Sequence, residues 1–212
     1  LYWVDDKKKF RMLAEAAAMN EKILLENKEM HHFFFNHINW TKKEDETKSI
    51  GLFIKTLELP SPAENAFKIF SYWPVLSLFN MIGASQLVVS QNTNVYASSG
   101  AFGAIVIPDE TRESFIAAGR CMQRVWLTTS LLRLSMQVLT GIPFLMRSIE
   151  MNVPRSLSKK HIICIHEAYS KIKNIFGVRD GLIVMQFRIG NGGSPSAHSL
   201  KLPPVIDNYY EK

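Results

Sequence analysis

Gly181-Leu182-Ile183-Val184-Met185-Gln186-Phe187 is an almost wholly apolar run near the end of the chain, and Arg188-Ile189-Gly190-Asn191-Gly192-Gly193-Ser194-Pro195-Ser196 follows it directly. The apolar run predicts a buried strand. The three glycines after it let backbone N–H groups approach a bound anion, and Arg188 or Lys201 can add positive charge. The segment indicates either an anion-binding loop or a polar turn.

Upstream of this run, residues 86–89 and 101–107 are apolar without alternation, which predicts two more buried strands. Helical periodicity and capping residues predict six helices: 5–28, 28–40, 63–81 with a bend at Pro74, 110–134 after Asp109 as N-cap, 144–151, and one from a Ser158 cap to Gly177. Strands separated by long helices predict an α+β or α/β sheet domain behind a helical N-terminal region.

The charge is unevenly placed along the chain. The net charge is +6, and all of it lies from Asp109 onward, where 14 basic residues face 8 acidic ones. These basic residues are scattered singly apart from Lys159-Lys160, and no aromatic residues alternate with them as in RNA-binding segments. The pattern favours an anionic cofactor or substrate over nucleic acid.

Residues 69–108 contain no Asp, Glu, Lys or Arg, which raises the question of a membrane span. Pro74, Asn80 and Gln86 interrupt the apolar run, and the polar stretch Ser90-Gln91-Asn92-Thr93-Asn94 follows it. A core helix that leads into a buried strand explains the run better, so we expect no contact with a membrane. The two cysteines, Cys121 and Cys164, lie in apolar helical patterns and predict a reduced, cytoplasmic protein without disulfides.

The sequence contains no familiar catalytic motif: no Gly-x-Ser-x-Gly, His-Glu-x-x-His, P-loop or zinc-ligand spacing. His31, His32 and His37 do not form a clean ligand pair, so we predict no metal site. Ser98-Ser99-Gly100 indicates a turn or a ligand contact. A chain with few titratable groups near its apolar centre is typical of proteins in which a bound cofactor performs the chemistry.

Two further stretches resemble a known family. Ala118-Gly119-Arg120-Cys121-Met122-Gln123-Arg124-Val125-Trp126-Leu127-Thr128-Thr129 resembles the central helix of the nitroreductase-like flavoproteins, and Leu134-Ser135-Met136-Gln137-Val138-Leu139 resembles the segment that follows it. The ending Phe187-Arg188-Ile189-Gly190, with residues 195–203, is similar to the C-terminal signature of the nitroreductases related to the mycobacterial Acg protein. The resemblance covers nearly the whole chain.

This resemblance implies an α+β, nitroreductase-like fold with a mixed central sheet flanked by helices, and FMN at a homodimer or pseudo-dimer interface. Residues 1–60 would be a helical N-terminal region of a domain that extends upstream, and residues 61–212 the flavin-binding domain. The resemblance places Ser135, Met136 and Gln137 along the isoalloxazine ring. It places Lys201 at the FMN phosphate with His198 nearby, and relatives carry Arg at the position of His198. Arg188 is also predicted to bind the cofactor.

The resemblance implies an FMN-dependent oxidoreductase that passes hydride from NAD(P)H through the flavin to a small, electron-poor acceptor. Two alternatives stay open. One is an FMN-binding or FMN-storage protein without turnover. The other is an interaction protein that has lost the cofactor and packs residues 69–108 against a partner chain.

Overall fold

The computed structural model describes residues 1–48, 50–153 and 156–200, and this part of the chain has an α+β fold. Its helices are α1 (Lys7–Glu26), α2 (Lys28–Asn36), α3 (Lys42–Lys48), α4 (Ser61–Phe70), α5 (Trp73–Met81), α6 (Ala84–Ala97), α7 (Arg112–Leu131), α8 (Gly141–Glu150) and α9 (Lys159–Phe176), with a 3-10 helix at Ile54–Leu57. Its strands are β1 (Tyr2–Val4), β2 (Ile38–Asn39), β3 (Leu52–Phe53), β4 (Ala101–Ile107), β5 (Ser135–Val138) and β6 (Leu182–Gly190).

The described strands form both antiparallel and parallel pairs. The larger sheet has the order β1-β4-β6-β5, and each neighbouring pair in it is antiparallel. Strands β2 and β3 form a separate parallel pair. The long strands β4 and β6 therefore occupy the middle of the larger sheet, as expected for the two apolar runs that predicted them.

Helices cover both faces of this sheet. On one face, α1, α6, α8 and α9 form the main core, in which Phe10, Phe102 and Ile183 are almost fully buried. On the other face, α7 packs Ala118 and Met122 against the sheet. A third apolar cluster joins the end of α1 to α2, α4 and α5. The layered arrangement leaves the outward side of α7 facing away from the sheet.

The two caps predicted for α9 are confirmed. The Ser158 hydroxyl accepts from the His161 N–H at 3.2 Å, and Gly177 ends the helix in the left-handed conformation, with φ of 72°. Helix α7 differs from the prediction, because Thr111 rather than Asp109 is its N-cap. Asp109 lies just before the cap, and its carboxylate accepts from the hydroxyls of Thr111 and Ser114, both at 2.6 Å.

The predicted strand at residues 86–89 is wrong, because these residues lie inside helix α6. In α6 the residues Ser85, Val89, Thr93 and Tyr96 recur at helical spacing and are buried, and α6 packs along α1. The β-branched Val88-Val89 pair suggests a strand locally, but burial of one helical face against α1 outweighs that weak preference.

Two helix boundaries also differ from the prediction. Residues 63–81 do not form one helix bent at Pro74, because the chain breaks between α4 and α5 and Pro74 lies in the first turn of α5. A proline is tolerated there because the N–H that it lacks has no partner within the helix. The charged stretch 42–48, for which no helix was predicted, forms helix α3, in which Asp45 is buried.

Candidate functional site

Pairing of β5 with β6 brings together four of the six residues that the sequence singled out. The register sets Gln137 opposite Arg188, Met136 opposite Ile189 and Ser135 opposite Gly190. The Arg188 Nε–H donates to the Gln137 side-chain oxygen at 2.7 Å. The two residues are 51 positions apart in the chain, so the edge of the sheet creates this contact.

The end of helix α6 surrounds the other side of the Arg188 guanidinium. Its Nη1 donates to the backbone oxygen of Val95 at 2.9 Å and to the Ser99 hydroxyl at 3.4 Å. The guanidinium carbon lies 5.2 Å from the centre of the Tyr96 ring, within the range of a cation–π contact. Arg188 is thus held by two strands and a helix.

Arg188 has no carboxylate within 4.0 Å in the described part of the chain. Removal of the half-buried guanidinium from water lowers the pKa of Arg188, while its interaction with Tyr96 acts in the opposite direction. A desolvated cation that lacks a counter-charge favours an anionic ligand, because an anion restores the lost electrostatic stabilisation.

Two glycine segments form a backbone wall beside these side chains. The Gly100 N–H donates to the Ile189 oxygen at 2.8 Å, so the turn after α6 lies directly against the end of β6. A Cβ on Gly192 would lie 2.7 Å from the Ser135 hydroxyl oxygen, so only glycine fits there without a shift. Ser135 and the glycine loop therefore close one side of the site.

Met136 belongs to the same strand but faces the opposite way. Its side chain packs with the cluster of Met122 and Phe187 on the α7 face of the sheet. Side chains alternate along a strand, so Met136 points away from the face on which its neighbours Ser135 and Gln137 lie. The structure brings Ser135, Gln137 and Arg188 to one face and Met136 to the other.

Of the last two predicted residues, the structure describes only His198. His198 is exposed, and it lies two residues beyond Ser196, whose N–H donates to the Glu58 carboxylate at 2.6 Å. This bond lowers the pKa of Glu58. The chain thus runs from β6 to the turn after the 3-10 helix before it reaches His198. Lys201 lies outside the described residues.

The sequence did not predict the residues that contact Arg188 from helix α6 and the turn after it, nor the carboxylate that supports them. The sequence predicts Ser99 only as part of a turn or a ligand contact, and no prediction covers Tyr96. Glu21, whose carboxylate accepts from the Tyr96 hydroxyl at 3.0 Å, gave no local signal at all. In the structure, its buried Oε2 oxygen and its bond to the Tyr96 hydroxyl distinguish it.

A separate groove of about 470 Å³ lies over α1 between α6 and α9. Three of its four charged side chains pair with one another, because Glu15 contacts Lys171 at 3.2 Å and Arg11 at 3.5 Å. Arg188 and its partners do not line this groove. The uncompensated charge at Arg188 is therefore the more specific feature for a ligand.

Within the described residues no single helix has both the length and the apolar composition needed to cross a membrane, although the pair α5 and α6, bent by 85°, meets these criteria jointly. Comparisons with protein-family models, curated proteins and solved structures find no match to this chain.

Proposed function

We propose that the chain is a nitroreductase-like, FMN-dependent oxidoreductase of the cytoplasm, which uses NAD(P)H and reduces a small electron-poor acceptor. The observation that carries the proposal is the pairing of β5 with β6, which places Gln137 and Ser135 beside Arg188, for which the described residues offer no carboxylate partner. The family resemblance implies that Ser135 and Gln137 of the same strand line the flavin ring.

The donor set of this site fits a flavin nucleotide. Gln137 and Ser135 offer an amide and a hydroxyl to polar ring atoms, and the glycine loop offers a surface that a side chain would block. Arg188 supplies a cation to an anionic part of the ligand, and Lys201 and His198 are assigned to the phosphate. When bound, FMN supplies the hydride chemistry, while the protein binds, orients and excludes competing reactions.

FMN storage without turnover stays open, and a second candidate is an interaction protein of the same fold that has lost the cofactor. Large apolar side chains that are more than half exposed favour it: Leu78, Met81, Ile82 and Leu87 on α5, α6 and their junction, and Ile116, Leu127 and Leu131 on α7. Exposed apolar surface of this extent is typical of binding surfaces. It also fits the homodimer that the family resemblance implies.

Absorption spectra of the purified chain, recorded before and after incubation with FMN and desalting, test the proposal. We expect retained flavin bands, and weaker retention in Arg188→Gln by about 10-fold, the usual effect of removing one charge-assisted bond. Arg179→Gln is the matched control, because Arg179 is exposed on the loop before β6 and lies outside the site.

Turnover then separates the candidates. NADH or NADPH oxidation by the FMN-loaded chain supports the oxidoreductase, and retained flavin without oxidation of either nicotinamide supports storage. A chain that retains no FMN at any concentration contradicts the flavin proposal and leaves the interaction protein.

A further inference from the structure

The Tyr96 ring separates the Arg188 site from a buried carboxyl group. Tyr96 is only 6% exposed, and the guanidinium carbon of Arg188 lies 5.2 Å from its ring centre. At the other end of the ring, the hydroxyl donates to Glu21 Oε1 at 3.0 Å. Glu21, Tyr96 and Arg188 therefore form one chain of contacts from helix α1 to strand β6.

Glu21 is arranged to hold the phenol. One carboxyl oxygen accepts the Tyr96 hydroxyl, and the other oxygen, Oε2, is buried without a partner among the described residues. Burial raises the pKa of the Glu21 carboxyl. Hydrogen bonds from its own backbone and from the Tyr96 and Asn20 side chains act in the opposite direction, and burial is the larger effect. Helices α5 and α6, which both pack on α1, bring no ionisable group to this region except Tyr96.

Several ionisable groups on the other helices that pack on α1 have partners of their own. On α9, Lys171 pairs with Glu15 and His161 with Glu26, and on α8, Arg147 pairs with Glu110 and Glu150. On α2, the buried His31 ring bonds to the Phe70 carbonyl. Among the described residues, the Glu21 carboxyl therefore contacts another helix through its hydrogen bond with Tyr96.

We propose that Glu21 and Tyr96 are positioning residues for Arg188. Glu21 orients the Tyr96 side chain through the hydrogen bond to its hydroxyl. The face of the Tyr96 ring then holds the Arg188 guanidinium by a cation–π contact, in a position where it can bind an anionic group of the ligand. This inference rests on the proposed anion-binding role of Arg188 and adds the residues that set its geometry. A guanidinium with fixed planar geometry loses less conformational freedom when it binds an anion than a free one does.

The first test uses no ligand and reads the Arg188 Nε–H group by NMR hydrogen exchange, with Arg188→Lys to identify the signal. We expect exchange to be slow in the native chain, because this group donates to Gln137. Tyr96→Leu removes the ring face and Tyr96→Phe removes only the hydroxyl. Exchange should accelerate by about 2- to 30-fold in Tyr96→Leu, the range of a cation–π contact, and by less in Tyr96→Phe.

Substitutions of Glu21 separate positioning from general packing. Glu21→Gln keeps an oxygen that accepts the Tyr96 hydroxyl and should preserve slow exchange, whereas Glu21→Leu removes the acceptor and should accelerate it. Unchanged exchange in Tyr96→Leu and Tyr96→Phe overturns the proposal. Tyr96→Phe keeps the ring and the core volume, so the test does not depend on the folding of the Leu variants.

The second test is a double-mutant cycle on FMN affinity. Tyr96→Leu should weaken FMN binding by about 2- to 30-fold when Arg188 is present and by less than about 2-fold in the Arg188→Gln background. Equal losses in both backgrounds mean that Tyr96 acts independently of Arg188, which overturns the inference. If exchange responds as expected but no variant or native chain binds FMN, the positioning role stands and the flavin proposal fails.

Discussion

At the scale of single residues, His31 links burial to pH dependence. It is fully buried, its Nε2 lies 2.8 Å from the Phe70 carbonyl oxygen, and Nδ1 has no partner within the described part of the chain. The carbonyl requires a proton on Nε2, so a second proton would place a charge among the rings of Phe35 and Trp73. Desolvation by burial therefore lowers the pKa of His31. The bond to Phe70 acts in the opposite direction, and the charge of His32 lowers the pKa further.

A lowered pKa for His31 means that, between the folded-state pKa and the unfolded-state pKa, the unfolded chain binds a proton at this residue and the folded chain does not. The free energy of unfolding should then fall as the pH falls below about 6.5, the ordinary histidine value, toward the lowered folded-state pKa. Denaturant unfolding of His31→Gln, which retains a donor for the Phe70 carbonyl, should show a shallower fall over this range. His166→Gln, at an exposed position of α9, should retain the native slope; a native slope in His31→Gln contradicts the prediction.

At the scale of elements, Gly103 permits the central strands to pack. It lies in β4 opposite Phe187 of β6, and a Cβ at this position would overlap the fully buried Phe187 ring. That ring also meets Trp3 of β1 edge to face, with the ring centres 5.4 Å apart. Gly103→Ala should lower the free energy of unfolding by about 1–3 kcal/mol through overpacking, as measured by denaturant titration.

Gly119 in the middle of α7 provides the matched control. A Cβ there meets nothing within 4 Å, and the backbone is helical. Gly119→Ala should raise the free energy of unfolding by about 0.5–1 kcal/mol, because alanine loses less backbone entropy in a helix. The unfolding experiment is done at low protein concentration to keep the chain monomeric. Equal effects of the two substitutions would show that the steric argument at Gly103 is wrong.

At the scale of the whole molecule, the outward side of α7 predicts association of two chains. Leu127 and Leu131 are 63% and 83% exposed, although α7 already buries its inner side against the sheet. In sizing experiments the native chain should elute as a dimer, and the double variant Leu127→Glu/Leu131→Glu as a monomer. Burial of like charges in a symmetric contact is costly, whereas the exposed positions tolerate Glu in the monomer.

Ile163→Glu is the control for this experiment, because Ile163 is 57% exposed on α9, on the opposite face of the sheet. It should leave the dimer intact. A native chain that elutes as a monomer at its highest attainable concentration contradicts the prediction, and so does a dimer that survives both charges on α7.

Local signals in the sequence determined several elements. The Ser158 cap and the Gly177 stop bounded α9, and the apolar runs of β4 and β6 predicted the two central strands. Each of these signals acts over a few neighbouring residues, through capping bonds, backbone freedom or continuous hydrophobicity. The order of elements predicted an α+β or α/β sheet domain, and the antiparallel pairing in the larger sheet decides for α+β. The division at residue 60 and the nitroreductase-like family stay predictions.

Only the tertiary structure decided where α6 runs and how the candidate site is assembled. Residues 86–89 have weak local preferences, so the burial of one face of α6, which includes Val89, against α1 selects helix. The contact of Gln137 with Arg188 depends on the register of strands distant in sequence, and the support from Tyr96 and Glu21 depends on helix packing. Non-local pairings of this kind leave no periodic or capping signal in the chain, because the free energy that selects them arises only when distant segments meet.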